Sequence, residues 1–117
     1  MSVDIEKRVR DILAASMGCP VLFEVPDKRP EAFATVELTD DASEMRGIFH
    51  VARLAVTCWG ATRAEARALA DAVMDETWLL QDAVGIMEAS ALSAYRDPDP
   101  DTGAPRYTVT LQIRYSV

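Results

Sequence analysis

The sequence has few residues that could carry metal or redox chemistry. Only Cys19 and Cys58 are present, without a C-x-x-C pair, and His50 is the single histidine among 117 residues. One cysteine pair cannot pattern a disulfide framework, and no spacing suggests a tetrahedral metal site. The five glycines are scattered singly, which excludes a glycine-rich phosphate loop. We therefore expect two buried, reduced thiols and no cofactor.

Positive charge and long apolar runs are also scarce. Twelve Lys and Arg oppose 19 Asp and Glu, so the formal net charge is −7. This balance excludes a nucleic-acid reader that works through a broad cationic face. The N-terminal residues mix both signs of charge in an amphipathic pattern, without the apolar core of a signal peptide or a membrane span. We expect no membrane contact, folding in a cytoplasm, and a single domain over residues 1–117.

Two segments have the periodicity of amphipathic helices. Ser2 is the candidate N-cap of the first helix, and Gly18 ends it. Its apolar face contains Ile5, Val9, Ile12 and Leu13. Thr62 and Glu65 match a capping box that opens the second helix. Its apolar face contains Ala66, Leu69, Ala70, Val73, Met74 and Thr77.

Five segments have the alternation or apolar content of strands. They are 21–25, 33–39, 48–59, 86–95 and 107–117. The fourth also suits a helix on propensity. The third is apolar on both faces, so it is central in its sheet or covered on one side by another subunit. Polar loops are predicted at 40–47 and 97–105. The elements predict an α+β domain of order α-β-β-β-α-β-β, with two helices packed on one face of a largely antiparallel or mixed sheet.

Three aspartates ahead of the last strand raise the question of a metal site. Asp97, Asp99 and Asp101 have the odd spacing of a calcium loop. Thr102 and Thr108 stand where that loop needs a sharply turning Gly and a bidentate Glu. The prolines between the aspartates also stiffen the chain where it should wrap an ion. We therefore do not assign a calcium site.

Two further features could suggest an enzyme. The tripeptide 101–103 is Asp-Thr-Gly, as in aspartic proteases, but it follows Asp-Pro-Asp-Pro instead of an apolar strand. We interpret it as a hairpin turn with Gly103 at positive φ. His50 would need a nucleophile and an orienting carboxylate to act as a general base, and the sequence places neither beside it. We expect no catalytic activity.

Several short motifs, in a fixed order along the chain, resemble those of one protein family. The segment 25–36 reads V-P-x-x-R-P-x-x-F-x-x-V, and it is followed by Val56-Thr57-Cys58-Trp59-Gly60 and by Thr62-Arg63-Ala64-Glu65-Ala66. Tyr95-Arg96-Asp97-Pro98-Asp99 and Gly103-x-Pro105-Arg106-Tyr107 complete the series. Over nearly its whole length the sequence resembles the small tail terminator proteins of long-tailed bacteriophages, whose known fold is that of the phage lambda tail terminator.

The resemblance implies a structural role in a virion. Such proteins form a ring, typically of six copies, that caps the tail tube at its final length and joins the tail to the head. The implied partners are other copies of the chain, the tail tube protein and the head-tail connector protein. DNA would pass through without specific binding, and assembly would occur in the host cytoplasm. A neighbouring neck or head-completion protein, a small dimeric ligand-binding regulatory domain and an enzyme built around His50 stay as alternatives.

Two sets of residues are candidates for this role. Aromatic and arginine side chains in or beside the strands are of the types enriched at interface centres. The interface candidates are Phe49, Arg53, Trp59, Arg96, Arg106 and Tyr107. Carboxylates lining a lumen would repel the phosphates of passing DNA. The candidates for lumen-facing or tube-facing acidic loops are Asp40, Asp41, Glu44, Asp97, Asp99 and Asp101.

Overall fold

The computed structural model describes residues 4–44 and 47–116. It is an α+β fold with five strands in one mixed sheet, as the sequence predicts. The elements in chain order are α1 (Ile5–Ser16), β1 (Val21–Leu22), β2 (Phe33–Glu44), β3 (Phe49–Trp59), α2 (Arg63–Asp75), α3 (Thr77–Gln81), β4 (Ile86–Arg96) and β5 (Arg106–Ser116). The sheet order is β1-β2-β3-β5-β4. Only β1 and β2 run parallel, and every other neighbouring pair is antiparallel.

Side-chain caps fix the starts of both long helices. Asp4 caps α1, because its carboxylate accepts a hydrogen bond from the backbone N–H of Lys7 at 3.0 Å. The predicted N-cap of α1, Ser2, lies outside the described residues. In α2 the Thr62 half of the predicted capping box is present, because the Thr62 hydroxyl accepts from the backbone N–H of Glu65 at 3.2 Å. The Glu65 carboxylate accepts from the backbone N–H of Ala61, one residue before the N-cap, at 3.0 Å.

Gly60 makes the tight connection from β3 to α2 possible. A Cβ atom there would lie 2.5 Å from the backbone nitrogen of Ala66 and 2.8 Å from Cβ of Glu65. Any side chain at this position would therefore displace the first turn of α2. The second helix then stops at Asp75, and the short helix α3 carries the bulky residues that the sequence places at its end.

The second strand is longer than predicted, and the first is shorter. Residues 40–44, expected in a polar loop, continue β2 up to the pair Glu44–Phe49, because the start of β3 offers their backbone groups a partner. A bulge at Thr39 shifts the register between Leu38 and Asp40. The strand predicted at 21–25 pairs only at Val21 and Leu22, and prolines hold the following segment in turns.

The helices and one face of the sheet enclose the core. We call this side of the sheet the helix face. Its buried residues on β2, β3 and β5 are Ala34, Val36, Ala52, Leu54, Val56, Cys58, Tyr107, Val109, Leu111, Ile113 and Tyr115. Against them pack Ile5, Val9 and Leu13 of α1, Ala66, Ala70 and Val73 of α2, and Leu80 of α3. Both helices thus lie on one face, and β3 is central, as predicted.

The opposite side of the sheet, which we call the open face, is mostly polar. It carries Thr35, Glu37, Arg53, Ala55, Thr57, Thr108, Thr110, Gln112 and Arg114. Cross-strand contacts join the hydroxyls of Thr57 and Thr108 at 3.3 Å, and Nε of Arg53 to Oε1 of Gln112 at 3.3 Å. No helix of the described residues covers this face, since all three pack on the core side.

The outer edge of β2 is only partly paired. Among the described residues, β1 pairs with it at Ala34 and Thr35 alone. The backbone N–H of Leu38 instead donates to the Glu6 carboxylate of α1 at 2.7 Å. Beyond the bulge, the residues of β2 from Asp40 to Glu44 are exposed.

Candidate functional site

A groove of about 670 Å³ crosses the open face at the end of the sheet that contains Trp59 and Arg106. Its floor includes Thr35, Thr57 and Thr108, from three neighbouring strands. Phe23 and Val25 line it on the β1 side, and Tyr95 of β4 lines it on the other side. These three are large apolar or aromatic residues that remain exposed. Exposed large apolar side chains that cluster at one place on the surface mark a candidate binding site for a partner.

An aromatic stack closes one end of the groove. Trp59 lies parallel to Phe33, with ring centroids 4.7 Å apart and an angle of 6° between the planes. The guanidinium of Arg106 lies 5.5 Å from the Trp59 ring centroid. Trp59 is only 5% exposed, and among the described residues its indole N–H has no hydrogen-bond partner. A buried donor without an acceptor is costly, so an acceptor from outside this chain would be favourable here.

Acidic groups outnumber basic ones in the groove. Glu6, Glu24, Glu37 and Asp97 line it, against Arg106 alone. Arg106 is itself neutralised, because its guanidinium lies 3.2 Å from the Asp97 carboxylate. Glu24 and Glu37 form no ion pair with any cation in the described ranges. The groove therefore favours a cationic occupant.

Three arginines surround Tyr107 on the opposite side of the sheet. Nε of Arg63 donates to the Tyr107 hydroxyl at 3.4 Å, and the guanidinium of Arg67 lies 5.6 Å from the ring centroid. The hydrogen bond from Arg63, together with the positive charges of Arg67 and Arg96, lowers the pKa of Tyr107 below its ordinary value. Arg63 and Arg67 are exposed in the first turns of α2, on the side of the helix that also contacts Tyr107. This arginine cluster is a local excess of positive charge in an acidic chain.

The interface candidates fall into different environments. Trp59 and Tyr107, at 5% and 7% exposure, are buried within the chain itself, so little of either ring is accessible in the single chain. Their aromatic partner Phe33 and the three surrounding arginines account for that burial. Arg53 and Arg96 are exposed, and Phe49 and Arg106 are half-buried. The large apolar residues that are exposed are instead Phe23, Val25, Ile48, Trp78, Val84, Met87, Leu92 and Tyr95.

The acidic residues of the 97–105 loop differ in exposure. Asp99 is 7% exposed and accepts hydrogen bonds from the backbone N–H of Asp101 at 2.9 Å and from Arg29 at 3.2 Å. These interactions, that of the Asp101 N–H first, lower the pKa of Asp99. The Asp99 carboxylate, a candidate for a lumen-facing or tube-facing loop, is turned inward in the single chain, where it stabilises the loop. Asp101 is exposed, and Gly103 has the predicted positive φ of 71°.

The end of the sheet where β3 begins and β5 ends contains a contact that the sequence does not reveal. The carboxylate of Asp41 accepts from the Tyr115 hydroxyl at 2.9 Å, and its other oxygen lies 3.3 Å from Nδ1 of His50. Burial, and then the hydrogen bond to Asp41, raise the pKa of Tyr115 to about 12. His50 therefore has an orienting carboxylate after all. Asp41 reaches it only because β2 continues past the predicted loop and changes phase at the bulge.

The acidic candidates Asp40 and Glu44 lie at this same end of the sheet. Glu44 lies 3.6 Å from the Arg114 guanidinium, which also lies 3.7 Å from Glu88 of β4. Asp40 is exposed and lies across from Arg53 in the β2–β3 ladder. These residues are on a strand and not on a loop, so their geometry is fixed by the sheet.

The cysteines are structural. Cys19 is half-buried and Cys58 is buried, and both are free thiols. Burial among apolar side chains, with a smaller contribution from Cys19, raises the pKa of the Cys58 thiol to about 12. Within residues 4–44 and 47–116, no three His, Cys, Asp or Glu side chains come together in a cation-binding group. No helix in this part of the chain is long and apolar enough to span a membrane.

Comparisons with known proteins give one kind of likeness. Neither models of protein families nor the sequences of curated proteins match the chain. Among solved structures, a chain of the virion of a native gene transfer agent (GTA) particle matches with a TM-score of 0.61 and 19% sequence identity. The match covers 97% of this chain and 90% of that chain. The two chains therefore share a fold over almost their complete lengths.

Proposed function

We propose that this chain is a structural protein of a phage-like virion, and more specifically a tail terminator. In this role a ring of copies caps the tail tube at its final length and provides the surface for joining the head. The observation that carries the proposal is the shared fold with a chain of the GTA virion, which leaves almost no part of either chain unmatched. No catalytic step belongs to this function.

The surface of the chain supports an assembly role. Among residues 4–44 and 47–116, eight large apolar side chains are exposed. One group of them lies around the groove, and another lies close together in sequence. Phe23, Val25 and Tyr95 line the groove, whereas Trp78, Val84 and Met87 lie around α3 and the start of β4. Two separate apolar surfaces are what a ring subunit needs if it contacts both its own copies and the tube or the connector.

Oligomeric state and tube binding test the function together. Six copies of the 12.8 kDa chain would give a particle of about 77 kDa in light scattering after size exclusion. With uncapped tail tubes from particles that lack this gene, we expect one ring per tube end in electron micrographs. Tubes that are already capped serve as the control and should bind none. A tail-tube gene beside this gene would add independent support.

Two other outcomes would replace the proposal. Binding to the head connector alone, with no binding to tubes, would favour the neck or head-completion protein. A stable dimer that ignores both tubes and connectors would contradict a virion role and favour a ligand-binding regulatory domain. An activity lost in His50→Ala would indicate an enzyme, and the Asp41–His50 contact gives that alternative its only structural support.

The charge of the chain suits a DNA passage. Six copies at −7 each carry a formal charge of −42, which would repel phosphates from the ring. Asp40 and Asp101 are exposed and form no ion pair among the described residues, so we propose these two as lumen-facing or tube-facing carboxylates. A reconstruction of the assembled ring with a cationic lumen would contradict this assignment.

A further inference from the structure

We infer that the groove on the open face binds the arginine-bearing first turns of α2 from a second copy of the chain. The inference rests on the proposed function only in taking another copy as the partner. The two surfaces that meet are the groove between Phe23 and Tyr95 in one copy and the exposed side of α2 around Arg63 and Arg67 in the next.

The dimensions of the groove suit a helix. Phe23, just after β1, and Tyr95 of β4 form its walls. These two strands are four strand spacings apart in the order β1-β2-β3-β5-β4. Four spacings amount to about 19 Å, and an α-helix with its side chains is about 10–12 Å across. A helix therefore fits between the walls, with room for the wall side chains. One extended strand would leave most of this width unfilled.

Charge complementarity selects this particular helix. The groove presents Glu24 and Glu37 without intramolecular cation partners among the described residues. The second helix presents the exposed Arg63 and Arg67, whose guanidinium groups also contact Tyr107 of their own chain. Arg67 pairs with the exposed Asp71 at 3.0 Å, which is a weak surface interaction that a groove carboxylate can supplement. Glu65 stands in the same turn of α2, but its carboxylate accepts from the backbone N–H of Ala61 at 3.0 Å and is directed to the start of the helix.

The exposed side of α2 also allows a close approach. Ala64 and Ala68 are exposed beside the two arginines, so this side of the helix has small residues between its long charged ones. Small side chains let a backbone come near an apolar wall, while the arginine stems lie along it. Phe23 and Tyr95 would lose their solvent exposure in such a contact.

The placement of the two surfaces determines the symmetry. The groove is on the open face, whereas α2 packs on the helix face, so the surfaces point to opposite sides of the sheet. A contact between two different surfaces is heterologous, and its repetition produces a closed ring or an open filament instead of a two-fold dimer. The sheet would then be covered on both faces, by its own helices on one and by a neighbour's helix on the other.

Charge reversal with rescue tests the interface. Arg63→Glu with Arg67→Glu, and separately Glu24→Arg with Glu37→Arg, should each raise the dissociation constant for self-association about 100-fold, measured by analytical ultracentrifugation. The chain that carries all four substitutions should regain most of the affinity, because the charges are complementary again. Because Arg63 and Arg67 also contact Tyr107 within the chain, circular dichroism and the midpoint of thermal unfolding check that the reversed variant keeps its fold.

Matched controls separate local contacts from net charge. Lys7→Glu with Lys28→Glu makes the same change in net charge as the α2 variant, on exposed residues elsewhere, and Asp75→Arg with Asp82→Arg matches the groove variant. These controls should assemble like the wild type. Assembly unaffected by either reversal, or a fourfold variant that fails to recover while folded, would overturn the interface. If such a variant still caps tail tubes, the proposed function stands without it; if the wild type assembles through this interface yet ignores tubes, the function fails and the interface stands.

Discussion

The two faces of the sheet differ in how completely the chain itself covers them. On the helix face, residues from three helices and five strands form one buried cluster. On the open face, threonines, a glutamine and charged residues lie in the same strands, and burial among the described residues is confined to the Phe33–Trp59 stack and the neighbouring Thr35 and Thr108. The helix face therefore accounts for the stability of the single chain. The open face contributes little to it and is available to a partner.

The clearest way to break this comparison uses two adjacent residues of β5. Leu111 is fully buried at the centre of the helix face. Leu111→Ala should lower the free energy of unfolding by about 3 kcal/mol, since it removes buried methyl groups and leaves a cavity. Urea denaturation of the monomer measures the change. A loss below 1 kcal/mol would mean that the core is not where the structure places it.

High pH should weaken the helix face through Cys58. Its thiol has a pKa of about 12 in the folded chain but the ordinary value of 9.0 when unfolded. Between these values the unfolded chain releases a proton that the folded chain keeps, so stability falls as pH rises. The loss should reach about 2 kcal/mol near pH 10.5. Tyr115, with its pKa raised to about 12, adds to the decline above pH 10.

The variant Cys58→Ala isolates this contribution. It should be less stable than the wild type at neutral pH, because it loses buried volume, but its stability should change less between pH 9 and 10.5. Thermal or urea unfolding across that range provides the measurement. An unchanged pH slope in Cys58→Ala would show that the thiol is already ionisable in the folded chain.

A change at the N-cap of α2 should have an effect of intermediate size on the stability of the chain. Thr62→Ala removes the hydroxyl that accepts from the backbone N–H of Glu65, which typically costs about 1 kcal/mol. Thr62→Ser keeps the acceptor and is the matched control. We expect the alanine variant alone to lower the midpoint of thermal unfolding. Equal midpoints for both variants would argue against the cap.

The smallest effect is expected next to the largest. Thr110 neighbours Leu111 in β5 but belongs to the open face. Thr110→Val keeps the β-branched shape and should change the free energy of unfolding by less than about 0.5 kcal/mol in the monomer. Urea denaturation alongside Leu111→Ala gives the contrast directly. A loss comparable to that of Leu111→Ala would mean that the open face is covered within the single chain.

The sequence predicts the fold well where periodicity and caps agree. Thr62 and Glu65 place α2, and the alternation of the last segment places β5, because these signals depend only on nearby residues. Propensity alone suits either a helix or a strand at 86–95, and pairing with β5 makes the segment a strand. The prediction of a loop is wrong over residues 40–44, and the reason is again pairing with a distant strand. Asp40 and Asp41 have poor strand propensity, but β3 supplies their partner.

The candidate site was less predictable, because it depends on contacts between distant segments. Trp59 and Tyr107 are interface candidates by residue type, but the sequence does not show that Phe33 stacks on Trp59 or that both residues are buried within the chain. Asp99 was grouped with its neighbours, although Arg29, seventy positions away, pairs with it. The groove itself has no motif: Phe23, Val25 and Tyr95 come together only when β1 and β4 take their places in the sheet.

The partly bare edge of β2 has a consequence for the chain before it assembles. An exposed strand edge can pair with the edge of any other chain and so start aggregation. In β2 the stretch beyond the bulge carries Asp40, Asp41 and Glu44, which repel the same stretch of a second copy, and the bulge distorts the ladder. Negative charge on this strand thus acts as a solubility device, and it keeps free subunits from joining edge to edge while they await their proper contacts.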